Sequence, residues 1–463
     1  MDRFDSISPL DYRYYTGNKE LHDQINEFLS EKAAIRYLLL AEEKLAEALC
    51  ERGVCSRETY AEISGVCKQV TAQEVYEEEA RIRHDIRALV NCIRRKVSEK
   101  AKPYVHLTAT SSDITCTADA ARMKDAAEKL LIPQLLQLEK TLIEIARREK
   151  ESLQIGRTHG QHAEPITFGY AMCEYVSRLG NRILALKKAA ANLRGKMSGA
   201  VGNYNASMLF FQEPEEFEKE VLAKLGLTAA THSTQIVEPE YAADYMHAAV
   251  SAFGVLANLA DDMRHLQRTE IAEIAEEFGS EQVGSSTMPH KRNPVNFENV
   301  KSMWKAFMPR MTTLYMDQIS EHQRDLTNSA STRFSTEIIA ALALSANRMD
   351  RIMKKLAVNR QKMKAHLQES RQSIAAEPAY ILLAALGHPD AHEYVRRLTL
   401  KVQKDSKSFS DLLMQDKEAR PYLEKMTEEQ LGIIRNPENY TGIAARKTEA
   451  VCKHWEDELW STG

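Results

Sequence analysis

Proline and glycine are scarce, with 13 and 18 residues in a chain of 463. Few positions therefore force a turn or break a helix. The polar positions are filled by Glu, Lys, Arg, Gln and Ala, all strong helix formers. No run approaches the roughly 20 apolar residues that span a bilayer, and the opening MDRFDSISPLDYRYY has no apolar core for a signal peptide. A soluble, unexported, cytoplasmic protein with no membrane partner is expected. An excess of one charge is also missing. The 62 basic and 66 acidic side chains leave a formal charge of -4, which argues against nucleic acid as a partner and requires any anionic ligand to be held by local charge. The seven cysteines, Cys50, Cys55, Cys67, Cys92, Cys116, Cys173 and Cys452, form no CxxC pair. Reduced thiols are expected rather than a disulfide or thiolate-zinc framework. The histidines His84, His106, His159 and His162 match no spacing such as HExxH. Neither a metal nor another cofactor is expected.

What is present is helical periodicity. Leu131, Leu135, Leu138, Leu142 and Ile145 form one stripe. Met172, Val176, Leu179, Ile183, Leu186, Ala190 and Leu193 form a second, and Leu256, Leu259, Met263 and Leu266 a third. Spacings alternating by three and four mark long helices that bury one face. The expected fold is all-α, with three helical domains at residues 1–107, 108–360 and 361–463, the middle one a bundle of long helices. Such seams pack either within a chain or between copies of it, and periodicity does not distinguish the two.

Four polar stretches interrupt the pattern: HLTATSSDIT (106–115), GRTHGQHAEP (156–165), SGAVGNYNA (198–206) and GSEQVGSSTMPHKRNP (279–294). Packing requires none of them, and loops of this chemistry are where function concentrates. In the last, Pro289 and Pro294 exclude a regular helix while His290, Lys291 and Arg292 make the loop cationic. By composition alone such a loop is more often a solvated connector than a catalytic element.

The run GSSTMPHKRNP resembles the signature loop of the fumarase/aspartase superfamily, and the other stretches resemble that superfamily's shared regions in the same chain order. The resemblance implies a homotetramer with a central helical bundle, whose active sites are assembled from three subunits. It also implies anti β-elimination that releases fumarate, which needs a base for a carbon-bound proton and an acid for the leaving group. Within the superfamily, the chain is similar to the adenylosuccinate lyase family, whose substrates are adenylosuccinate and SAICAR. By that likeness Ser285 is the base and His159 the acid, with His84 and His106 orienting His159 or the substrate. Lys291 is the nearest cation in sequence to stabilise a Ser285 alkoxide. Thr110, Ser111, Lys291 and Asn293 suit the two succinyl carboxylates. Glu298 is placed to pair with His159, and Arg83, Asp85, Gln235 and Ser286 complete the family pocket.

A nucleotide phosphate calls for arginine forks and hydroxyls. Arg13 and Tyr14, followed by Arg324, Ser329 and Arg333, match the family's phosphate set. Three departures from the family pattern stand at Tyr12 in DYRYY, Pro239 in TQIVEPEY and Asn299. Two other readings stay open: an argininosuccinate lyase or cycloisomerase, for which the phosphate set has no ligand, and a catalytically silent helical protein.

Overall fold

About 66% of the computed structural model is helical, and it describes residues 6–15, 18–277, 287–288, 290–402 and 408–460. The all-α expectation holds. Among the described residues the strands form only three two-stranded ladders. The stripes read from the sequence are buried within the single chain. Leu131, Leu135, Leu138, Leu142, Met172, Val176, Leu179, Ile183, Leu186 and Leu256 are at most 1% exposed, and only Leu266 is half-buried. They lie on the helices Ile132–Arg148, Phe168–Ala191 and Glu240–Leu266 and in the turn that precedes the first of these. The longest, at 27 residues, extends about 40 Å at the rise of an α-helix.

Two compact units make up the chain. The first comprises Met1–Gln137, Asn181–Ala257 and Asn299–Arg348, and the second Leu138–Gly180, Asn258–Glu298 and Met349–Gly463. In the first unit the helix Glu31–Glu51 packs on Ser111–Ala126 and on Arg57–Cys67. Its N-terminus is capped by Ser30 Oγ, which accepts the Ala33 N–H at 3.2 Å. The Ser111–Ala126 helix continues through a π turn at Ala127–Leu131. Pro133 follows closely, and its missing N–H removes one ordinary helical hydrogen bond from that stretch.

In the second unit the C-terminal helix Ala444–Trp460 is held by polar and apolar contacts. Arg147 forks onto Glu456 at 2.8 and 2.9 Å. Trp455 packs where Gly180 has no side chain; a Cβ there would fall 2.3 Å from the indole. Any larger residue at 180 would displace the ring. The helices Ala376–Ala385, Ala391–Val402, Phe409–Gln415 and Glu428–Arg435 enclose a separate core that includes Leu383, Tyr394, Phe409, Leu413 and Ile434.

Candidate active site

His159 stands at the tip of a hairpin. Strand β1 (Leu153–Thr158) pairs antiparallel with β2 (Gln161–Thr167), and Thr158 faces Gln161 across a two-residue turn. Both turn residues have positive φ, 55° at His159 and 74° at Gly160, the combination that matches the twist of an antiparallel pair. Gly160 accepts this conformation freely. For His159 it costs on the order of 1 kcal/mol, so the surrounding structure must enforce it. Below the turn, the hairpin is anchored by the fully buried Glu273, which accepts from Gln154 Nε2 at 2.7 Å and Arg157 Nη2 at 2.6 Å and lies 2.7 Å from His366 Nδ1. Burial alone would raise the Glu273 pKa, but the hydrogen bonds from Arg157, Gln154 and His366 outweigh it and hold the group below its ordinary range. Two β1 side chains and the Arg360–Ile374 helix are thereby pinned to one carboxylate. His162 points elsewhere, with Nδ1 2.5 Å from Ser370 Oγ. Burial and the Arg157 charge lower its pKa. His159 itself is exposed.

The first unit carries most of the other expected residues. Arg83 ends one helix at φ 61°, and His84 caps the next, Asp85–Lys96, where its Nδ1 accepts the Arg87 N–H at 3.3 Å. That bond leaves the proton of a neutral ring on Nε2. Arg83, His84 and Asp85 are all exposed. His106 is a further residue with positive φ, at 64°, and its Nδ1 lies 2.6 Å from Glu42 Oε1. Thr110 precedes the Ser111–Ala126 helix and donates its N–H to Asp113 Oδ2 at 2.8 Å. Ser111 opens that helix.

Asp113 and Lys196 were not singled out from the sequence, yet both are fully buried and joined by an ion pair. Asp113 also accepts the Gly199 N–H at 3.2 Å, and Lys196 Nζ donates to Gly199 O at 3.0 Å. The 106–115 and 198–206 segments are therefore clipped together. Ser198 Oγ meets Ser233 Oγ at 2.7 Å, and Gln235 donates its backbone N–H to Gln323 O at 3.4 Å. This chain of contacts brings Thr110, Ser111, Gln235 and the segment bearing Arg324 into one region. Arg324 donates to Asn328, Ser329 is exposed, and Arg333 lies on the short turn Ser331–Phe334. Exposed Arg13 precedes Tyr14. The Tyr14 hydroxyl accepts from Asn299 Nδ2 at 3.2 Å, so one departure from the family pattern contacts an expected site residue.

In the second unit, Lys291 and Glu298 are exposed and Asn293 half-buried. Glu298 sits in the first turn of the helix Val295–Phe307. The buried Glu276 carboxylate orients that turn by accepting the Asn296 and Phe297 N–H groups at 3.0 and 2.9 Å. No hydrogen bond joins Glu298 to His159 among the described residues. Ser285 and Ser286 lie outside the described residues. The second unit thus carries an exposed imidazole at a hairpin tip, and the first a carboxylate-backed imidazole and several exposed arginines, groups suited to proton transfer and to holding anions respectively.

The lyase family pattern matches residues 13–307, and the adenylosuccinate lyase C-terminal pattern matches 320–441. The adenylosuccinate lyase of Pyrococcus abyssi is 35% identical over 458 residues, covering 98% of each chain. That of Archaeoglobus fulgidus is 32% identical over 457 residues, covering 98% of this chain and 99% of the relative. Among solved structures, 3-carboxy-cis,cis-muconate lactonizing enzyme from Pseudomonas putida superposes with a TM-score of 0.83 at 22% identity, covering 94% of this chain and 97% of that one. Fumarate lyase from a Mesorhizobium species gives 0.81, also at 22% identity, covering 93% and 97%. These two establish likeness of fold. The identities along nearly the whole length establish more: the chain belongs to the adenylosuccinate lyase family of the fumarase/aspartase superfamily.

Proposed function

We propose that this lyase eliminates fumarate from adenylosuccinate, giving AMP, and from SAICAR, giving AICAR. The full-length similarity to adenylosuccinate lyases carries this reading. Ser285, as alkoxide, takes the proton from the succinyl carbon next to the one bonded to nitrogen. The carbon–nitrogen bond then breaks with its electron pair going to nitrogen, and His159 as imidazolium donates a proton there. Thr110, Ser111, Lys291 and Asn293 hold the succinyl carboxylates, while Arg13, Tyr14, Arg324, Ser329 and Arg333 hold the 5′-phosphate. Arg83, His84, Asp85, Gln235, Ser286 and Glu298 line the remaining pocket. The exposure of His84, His159, Lys291, Arg13 and Arg333 in one chain supports a site completed by other copies, in a cytoplasmic homotetramer. The test is to supply adenylosuccinate, SAICAR and argininosuccinate separately to the purified protein and follow fumarate release. Turnover of the first two is expected; turnover of argininosuccinate alone overturns the reading.

A further inference from the structure

Glu42 occupies a position that should be apolar. On the Glu31–Glu51 helix the buried stripe runs Ile35, Leu39, Glu42, Ala46 and Leu49, spaced four, three, four and three, so the carboxylate stands in the middle of a hydrophobic seam. Glu42 is 2% exposed. Its Oε1 meets His106 Nδ1 at 2.6 Å, and its buried Oε2 has no hydrogen-bond partner among the described residues. A carboxylate placed this way is unfavourable for folding unless its charge is used. His106 has its own unfavourable feature, the left-handed φ of 64°, and its side chain remains 20% exposed. One ring nitrogen thus faces a buried anion, while the residue stays within reach of solvent.

The charges around the pair reinforce this polarity. Burial lowers the His106 pKa, but the Glu42 charge and hydrogen bond outweigh it and leave the group raised. Asp113, on the Ser111–Ala126 helix, acts in the same direction, and Arg87, on the Asp85–Lys96 helix, opposes it. The Asp113 charge is already matched by Lys196. The Cys67 thiol at the end of the Arg57–Cys67 helix is pushed upward by burial and by the Glu42 and Glu43 charges, so Cys67 stays a neutral thiol.

We propose that Glu42 is a positioning residue for the lyase site: its buried carboxylate holds His106 by Nδ1 and favours a doubly protonated ring, so that Nε2–H is presented to an anionic oxygen of the substrate. The inference rests on the adenylosuccinate reading for the identity of that substrate, but not for the Glu42–His106 linkage. Glu42→Gln is isosteric and removes only the charge. With one pKa unit equal to a factor of ten in protonation, kcat/KM of the variant at pH 8 should fall about 10-fold relative to wild type. The deficit at pH 6 should be smaller than at pH 8, because the variant ring regains its proton as the pH falls. In a His106→Asn background the same Glu42 change should add nothing, because the residue through which it acts is gone.

A second measurement is independent of substrate. In enzyme carrying 13C-labelled histidine, the resonance absent from His106→Asn should titrate at lower pH in Glu42→Gln than in wild type. A deficit equal at both pH values, full additivity with His106→Asn, or an unmoved His106 titration would overturn the proposal. If Glu42→Gln does not fold, His106→Asn carries the test, and persistence of the wild-type alkaline limb in its profile overturns it. Repeating the profiles with succinyladenosine identifies the oxygen: a retained pH-dependent deficit assigns a succinyl carboxylate, a lost one the phosphate. Failure of wild type to release fumarate from adenylosuccinate rejects the substrate reading alone, since the histidine titration still decides the linkage.

Discussion

Lys196 and Asp113, 83 residues apart in sequence, meet as a fully buried ion pair. Because Asp113 also receives the Thr110 and Gly199 N–H groups, one carboxylate sets the start of the Ser111–Ala126 helix and the path of the 198–206 loop. Removing one partner leaves an uncompensated buried charge, which typically costs about 3–5 kcal/mol. Lys196→Met should therefore lower the denaturation midpoint markedly, and Asp113→Asn/Lys196→Met, which removes the charge but keeps an amide oxygen for the Thr110 and Gly199 N–H groups, should recover part of the loss. Equal destabilisation of single and double variants would show that the charge is not the cause.

The assignment of acid and base predicts that Ser285→Ala and His159→Asn each lose about 100-fold or more in turnover. Asparagine is chosen at 159 because it tolerates positive φ, so helicity should match wild type and melting should be no lower. Near-normal turnover in either folded variant rejects its role.

Assembly of the site from several copies predicts complementation. His84→Ala and Ser285→Ala, each inactive alone, should regain part of the activity when mixed and allowed to exchange subunits, since some hybrid sites then receive both intact residues. No recovery after exchange has been verified would count against shared sites.

Phosphate binding makes a graded prediction. Losing a hydrogen bond to a charged group costs about 1.5–3 kcal/mol, so Arg324→Ala or Arg333→Ala should weaken apparent affinity for adenylosuccinate roughly 10- to 150-fold. Succinyladenosine, lacking the phosphate, should be a poor substrate for wild type and little further impaired by either change. Equal impairment with both substrates means the arginines act elsewhere.

Glu139 gives a pH-dependent stability prediction. It is fully buried with neither oxygen hydrogen-bonded among the described residues, and burial holds its pKa well above the carboxylate range. The folded state therefore keeps a proton that the unfolded chain releases above about pH 4.5. By linkage, its contribution to stability is present at low pH and is lost as pH rises towards the folded value, at about 1.4 kcal/mol per pH unit. Glu139→Gln should melt higher than wild type at pH 8, with the advantage shrinking towards pH 5. A constant difference across that range excludes this origin.

The long helices were legible because their stripes follow helical periodicity, and Leu135, Leu179 and Leu256 are buried as that periodicity requires. His159 and the phosphate candidates were legible as motif members. What escaped were groups whose roles depend on distant partners. Glu273 sits in the unremarkable run AEIAEEF and becomes an anchor only when Arg157 and His366 reach it. Asp113 lay inside a recognised segment, but nothing local announced Lys196. For Glu42 a signal did exist, a carboxylate at an apolar heptad position in LLLAEEKLAEAL, readable only once the stripe is drawn through it. The left-handed φ values of Arg83, His106 and His159 had no sequence signature, since none of the three is glycine.

The turn at His159 and Gly160 has a consequence for how tolerance at this position ranks. The backbone there favours glycine first and asparagine next, and penalises β-branched residues most. Only a side chain that titrates near neutrality suits the proton donor. A saturation library at position 159 scored for heat resistance should thus place Gly and Asn above the native residue, while the same library scored for fumarate release should place them near the bottom. Selection for robustness and selection for catalysis pull this one residue in opposite directions.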